Sequence, residues 1–416
     1  MSRTTDPAPV GAFPRLDWVD AMLSPALRAA VESLPAAERL VAGYHRGWCE
    51  ADGAPRVSTS GGGKSVRPAL TLLAATAVGA RPAEAVPGAV AVELVHDFTL
   101  LHDDVIDGDA LRRHRPAAWS LFGTPAAVLT GDALMVAALS ALAQAPAERA
   151  GAAVQELVST LLELVEGQSH DVAFEKAHEV SVADYLAMAV GKTGSLIGCA
   201  CALGGALAGA DTVRVGGLRE FGRHLGVAFQ CADDILGIWG RTACSGKPVG
   251  ADLAARKKSL PVVAALAAPG AAAGRLRELY RASHPMEDAE VDLARRLVED
   301  AGGRQAAEGE ARRQMAAALR SLSLARPTVD GHRQLHDLAC AMTRHAARRT
   351  PHAARRTPHA ARRTPHAARR TRSDGGTSRA PYRGQGGPLS WRNPCSVPPP
   401  VPWPPLVDPT RRGRCP

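Results

Sequence analysis

Two groups of aspartates carry the densest chemistry in this 416-residue chain: Asp103, Asp104 and Asp107 within LLHDDVIDGD, and Asp233 with Asp234 within FQCADDILG. Adjacent carboxylates inside apolar stretches are costly to bury unless a cation compensates them. An all-oxygen donor set suits a hard ion. Magnesium takes one or two carboxylates and fills the rest of its shell with water and substrate phosphate oxygens. The residue types therefore point to a magnesium site and to a phosphorylated substrate.

Helical spacing decides which of these groups share a wall. Asp103 and Asp107 are i,i+4 neighbours on one face, and His96 lies two turns earlier on that face. Gln230 precedes Asp233 and Asp234 by three and four residues, so an amide shares their face. An isolated DDxxD reads as a solvated helix surface with i,i+4 ion pairs. Two such groups in apolar surroundings argue instead for two facing helices that build one site.

The elements around them read as helices. Hydrophobic residues make up 46% of the chain and aromatics only 4%. Much of the rest is alanine and leucine, which favours packed helices over sheet. No apolar run approaches the roughly 20 residues of a membrane span, and the N-terminus lacks a basic-then-apolar signal. The expectation is no transmembrane segment and a cytoplasmic location. The eight cysteines are scattered, with Cys199 and Cys201 the only close pair, which favours reduced, packed thiols over a zinc site.

The chain divides near residue 343. Beyond it come HAARRTP units starting at His345, His352 and His359, a truncated copy at His366, and a Pro/Gly/Arg-rich stretch to Pro416. The period is seven, yet these units offer no apolar seam and a proline recurs in each, so they read as a disordered tail rather than a coiled coil. Residues 343–416 hold 16 Arg and 2 Asp, a charge of +14, which leaves the body at −5 beneath a total of +9. The tail would bind anionic polymers weakly and in a salt-dependent way. Tandem expansion of a short repeat accounts for it more simply than a selected function. Three segments are expected: a flexible N-terminus (1–15), a catalytic domain (16–343) and the tail (344–416).

In order along the chain, GGGKSVRP (Gly61 to Pro68), the His96 region, DDVIDGD followed by Arg112 and Arg113, GQSHD (Gly167 to Asp171), GKTG (Gly191 to Gly194), FQCADD (Phe229 to Asp234), GKPVGADL (Gly246 to Leu253) and RKKSLPV (Arg256 to Val262) resemble the landmarks of the trans-isoprenyl diphosphate synthases, or polyprenyl synthetases. The resemblance covers about residues 16 to 343. It implies an all-α, isoprenoid-synthase-type helical bundle with two aspartate-rich motifs on facing helices. It also implies a homodimer and Mg²⁺-dependent head-to-tail condensation of isopentenyl diphosphate with allylic prenyl diphosphates.

Roles follow from that resemblance. Lys64, Arg67, His96 and Arg113 would grip the diphosphate of isopentenyl diphosphate. Arg112, Lys192 and Lys247 would hold the allylic diphosphate with Mg²⁺ ions, three once substrate is bound, carried by Asp103, Asp107 and Asp233. Lys257 or Lys258 would close over it. Asp104 and Asp234 complete the catalytic motifs, and Thr193 and Gln230 would lie beside the allylic cation. Phe98, five residues before Asp103, and Thr99, four before it, would set chain length, and an aromatic there resembles short-chain synthases that stop near geranylgeranyl diphosphate. Farnesyl diphosphate is the alternative product, and a non-catalytic synthase subunit the alternative role.

Two positions depart from the family pattern: Gly237 stands where many relatives carry a third aspartate, and Ser65 where arginine is common. A class I terpene cyclase would replace the second aspartate group with an Asn/Ser/Glu pattern. A phosphate-binding loop ending in GGGKS would need glycine at Ser58.

Overall fold

The computed structural model describes residues 16–56, 65–240, 250–282 and 284–347. The expectations for residues 1–15, Lys64, Lys247 and the tail from residue 348 lie outside the described residues. α1 (Asp17–Glu32), α2 (Ala36–His45), α3 (Val66–Ala77) and α4 (Val86–Ile106) lead to a short antiparallel hairpin, β1 (Leu111–Arg112) with β2 (Arg115–Pro116). After it come α5 (Ala118–Phe122), α6 (Thr124–Ala143), α7 (Ala147–Lys176) and α8 (Val182–Ala189). A π-helical turn, Val190–Gly194, joins α8 to α9 (Ser195–Leu207), and α10 (Thr212–Trp239) follows. The remaining helices are α11 (Ala251–Ala254), α12 (Leu260–Ala267), α13 (Ala271–Arg281), α14 (Asp288–Asp300), α15 (Gly303–Leu324) and α16 (Val329–Ala347). The fold is all-α apart from that hairpin among the described residues. The boundary expected at residue 343 falls within α16.

α9 explains the arrangement. Its sequence, SLIGCACALGGAL, has no charged residue and is buried almost all round, as a helix apolar on every side must be. α3, α4, α7 and α10 pack around it. α10 links two hydrophobic cores: Leu218, Phe221 and Leu225 belong to one, with α3, α4 and α9. Val227, Cys231, Ile235 and Ile238 belong to the other, with α8, α12 and α14.

Glycine lets backbone meet backbone at the crossings that matter most. A Cβ on Gly167 of α7 would lie 2.2 Å from the Lys192 nitrogen, and one on Gly226 of α10 would lie 2.7 Å from Gly194 Cα. No real side chain tolerates such distances, so these two glycines clamp the π turn between α7 and α10. π turns are rare and concentrate at functional sites.

The apolar run length expected from the sequence is exceeded in two helices. α6 and the continuous helix Val182–Leu207 are both long and apolar enough to cross a membrane by length and composition. The second is 78% buried within the fold, against 39% for α6. The Ala-, Gly- and Leu-rich run of α9 is apolar because it is the centre of the bundle.

Candidate active site

The two aspartate groups meet at the π turn. Asp103 is half-buried near the end of α4, and Asp107 caps that helix and is exposed. From the π turn, Lys192 Nζ lies 3.9 Å from Asp103 Oδ1 and 2.7 Å from Asp171 Oδ2 on α7. Burial pushes the Asp103 carboxyl above its ordinary value; Lys192 opposes this and Asp107 adds to it. Asp104, on the other side of α4, is 1% exposed and accepts from Arg112 Nε at 2.9 Å. It thus anchors the first arginine after the motif, whereas Asp103 lies near Lys192.

The second group divides in the same way. Asp233 is exposed, whereas Asp234 is 7% exposed and fully engaged. Its Oδ2 accepts from Tyr185 Oη at 2.5 Å and from the Leu260 amide at 2.7 Å; its Oδ1 accepts from Gln230 Nε2 at 2.9 Å. Burial pushes this carboxyl up to about 6 against the three hydrogen bonds that favour its anion. Thr193 Oγ1 in turn donates to Gln230 Oε1 at 2.8 Å. A continuous chain of hydrogen bonds therefore runs from the π turn through Gln230 to Asp234 and Tyr185, and it holds α10 in register beside Lys192.

A basic wall forms the other side. Arg67 and Arg113 surround His96, which burial and these cations, with His45 and Arg46, keep well below its ordinary pKa and hence neutral. Arg67 Nε is a buried donor with no hydrogen-bond partner, a cost of about 1–3 kcal/mol that an anionic ligand would remove. Beneath them Arg46 pairs with Asp97, and its Nη2 lies 3.3 Å from Glu93 Oε1, both acids being buried on α4. Ser65, where the family resemblance expects arginine, adopts φ 45° and donates to Asp20 Oδ1 at 2.6 Å, so it fixes the entry to α3. Arg113 and His114 both have positive φ in the hairpin turn, at 52° and 64°. Next to them a cavity of about 310 Å³ is lined by His45, Arg56, Arg112, Arg113 and Arg115 among others.

The two candidate closing lysines differ in their surroundings. Lys258 Nζ donates to the Phe174 carbonyl at 2.6 Å and so ties its loop to α7. Around Lys257, desolvation alone would favour the neutral amine, but Asp171, Asp252, Asp234 and Asp107 outweigh it and hold the ammonium charged. Solvent still reaches this side chain. Phe98 is 7% exposed and packs edge-on against His102 at 4.9 Å. His102 Nε2 lies 3.1 Å from the Val128 carbonyl on α6. Phe98 therefore faces α6. Thr99 is half-buried, with its hydroxyl donating to the His96 carbonyl at 2.8 Å.

Sequence reading gave no role to Asp171, Tyr185, His45, Arg46, Glu93 or Asp97. Glu93 and Asp97 left a trace, an i,i+4 acid pair inside the apolar helix α4. Arg46 reaches them across 47 and 51 residues of chain, and no local pattern marks such a contact.

The side chains suit a divalent cation held with help from substrate. Asp103, Asp107 and Asp233 offer only oxygen, and two of them are open to solvent. No group of three or more ligand-type side chains converges on one point among the described residues. An all-oxygen donor set suits Mg²⁺, which retains waters and uses few protein carboxylates.

The chain is similar to known proteins along most of its described length. A sequence model of the family described as polyprenyl synthetase matches residues 53–298. A geranylgeranyl diphosphate synthase of Mycobacterium tuberculosis is 45% identical over 326 residues, 77% of this chain and 93% of that protein. A (2E,6E)-farnesyl diphosphate synthase of Mycobacterium bovis is 42% identical over 304 residues, 72% of this chain and 84% of that protein. The crystal structure of a polyprenyl synthetase from Streptomyces coelicolor A3(2) superposes with a TM-score of 0.74 at 43% identity, covering 78% of this chain and 98% of that one. With its two aspartate groups joined through one π turn in an all-α bundle, this chain belongs to the polyprenyl synthetase family.

Proposed function

We propose that this short-chain trans-prenyltransferase condenses isopentenyl diphosphate with allylic diphosphates in a Mg²⁺-dependent reaction, and that its main product is geranylgeranyl diphosphate. The observation that carries the reading is the placement of Lys192 and Thr193. One turn of chain presents an ammonium to Asp103 and a hydroxyl to Gln230, the amide that donates to Asp234.

Asp103, Asp107 and Asp233 are the residues to hold Mg²⁺, which when bound would neutralise charge on the leaving diphosphate. Lys192, Arg112, Lys257 and, from outside the described residues, Lys247 supply further positive charge there. Breaking the allylic C–O bond sends its electron pair to diphosphate and leaves a carbocation at the prenyl carbon. Preorganised cations lower that barrier. Arg67, Arg113, neutral His96 and Lys64 hold the second diphosphate so that the acceptor's double bond faces the cation. That bond attacks, and the proton it must lose passes to the departed diphosphate. The dipoles of Thr193 and Gln230, fixed by their mutual hydrogen bond, orient toward the cation without offering it a nucleophile.

Phe98, packed between α4 and α6, supports the chain-length assignment, since bulk there closes the end of the tail pocket. The catalytic domain is taken as residues 16–343, with the tail from residue 344. A homodimer is supported by apolar side chains that α6 and α7 leave in solvent: Leu129, Val136, Leu162 and Val165. The free thiol at Cys49 supports a reducing, cytoplasmic setting.

Incubation with isopentenyl diphosphate and each C5, C10 or C15 allylic primer, followed by mass spectrometry, tests the product. A C20 diphosphate from every primer is expected, and a C15 end point would assign the enzyme to farnesyl diphosphate instead.

A further inference from the structure

The second aspartate group contains a gap that another element fills. Gly237 lies on α10 one turn beyond Asp233, on the same face, where the family resemblance expects a third carboxylate. A Cβ built on Gly237 would lie 2.0 Å from Asp252 Oδ2 and 3.1 Å from its Cγ. The Asp252 carboxylate, on α11, thus occupies the volume that any side chain at position 237 would take. A hydrogen atom at Gly237 is what gives it room.

The Asp252 backbone is fixed by its loop. Its carbonyl accepts from the Lys257 amide at 2.8 Å, which closes the loop that also carries Lys257. The Lys257 ammonium is influenced by Asp252 together with Asp107, Asp171 and Asp234, so the Asp252 carboxylate shares the field of both aspartate groups. Oxygen is again the only donor atom, in keeping with Asp103, Asp107 and Asp233.

We infer that Asp252 supplies, from a different helix, the carboxylate that Gly237 lacks, and that it forms part of the divalent-cation wall beside Asp233. This rests on the magnesium reading above. The exchange has a specific consequence: Gly237 and Asp252 form a unit, and a methyl group at position 237 displaces a carboxylate without altering any charge.

The test measures Mn²⁺ binding to the full chain in the presence of inorganic pyrophosphate, from the electron paramagnetic resonance signal of free Mn²⁺, with no turnover involved. Asp252→Asn should weaken binding about tenfold, the scale of lost supporting ligands. Gly237→Ala should weaken it in the same direction, although alanine favours the helix. Gly237→Asp combined with Asp252→Ala should recover most of the loss, because the carboxylate returns to α10. Thermal melting checks that each variant folds; if Asp252→Asn does not, the other two variants decide. Wild-type affinity in either single variant, or no recovery in the double variant, overturns the inference while leaving the magnesium reading in place. Wild-type affinity in Asp233→Asn brings down the magnesium reading and this inference together.

Discussion

Lys192 is shared between Asp171 at 2.7 Å and Asp103 at 3.9 Å, so the ammonium is held just short of the carboxylate that faces the cleft. Asp171 keeps Lys192 from neutralising Asp103. Asp171→Asn should release the lysine onto Asp103, where it competes with Mg²⁺. The Mg²⁺ concentration for half-maximal rate should rise about tenfold. An unchanged Mg²⁺ dependence would contradict this role. Lys192→Ala should lower kcat/KM for the allylic substrate by about 10²-fold, as expected for loss of a cation at a leaving group.

Phe98 gives a prediction about product length. It is buried against His102, so Phe98→Ala opens space between α4 and α6. Products longer than C20 should accumulate, at a stability cost of about 3–5 kcal/mol. Chain-length analysis by mass spectrometry reads the first effect and urea unfolding the second. A folded variant with an unaltered product profile would remove Phe98 from the pocket floor.

The pH dependence of folding should carry the signature of His45. Burial, then Arg113, Arg112, Arg46 and Arg115, lower its pKa from 6.5 to about 3, and Asp97 Oδ1 lies 3.9 Å from its ring. The unfolded chain takes up this proton near pH 6.5 and the folded chain only near 3. The contribution is therefore complete above pH 6.5 and is lost as pH falls toward 3. Asp234, raised to about 6, acts in the opposite sense, gaining stability as pH falls from 6 toward the ordinary carboxylate value. His45→Asn should flatten the decline in urea midpoint between pH 7 and pH 4.5. Parallel slopes for variant and wild type would exclude His45 as the cause.

The apolar side chains on α6 and α7 predict the assembly. Leu162 is 70% exposed, so Leu162→Glu should leave the monomer fold intact while burying a charge in any interface. Sedimentation should show a dimer for the wild type and a monomer for the variant at micromolar concentration. A dimer in both would place the interface elsewhere.

The aspartates, Gln230, Thr193 and the first basic residues stand out in the sequence as candidates because they lie in short local patterns. The all-α class was readable from alanine- and leucine-rich composition. The division of labour within each pair was not. DDVID and ADD are symmetrical as text, and only packing shows that Asp104 faces Arg112 and Asp234 faces Tyr185 while Asp103 lies near Lys192 and Asp233 is exposed. The Arg46 network and the Gly237–Asp252 exchange were also hidden, since each joins residues from separate elements. The apolar centre at α9 was underestimated because its glycines and alanines dilute the hydrophobic signal that burial makes plain.

The most direct test of the central claim is single-turnover conversion of farnesyl diphosphate and isopentenyl diphosphate by the purified chain, with Mg²⁺ and with Mg²⁺ chelated. It would be run for the wild type, Asp103→Asn and Asp233→Asn. The account predicts a C20 diphosphate only with Mg²⁺, and rates at least about 10²-fold lower in both variants. Product formation that survives chelation, or full activity in either variant, would contradict a cleft built on the two aspartate groups.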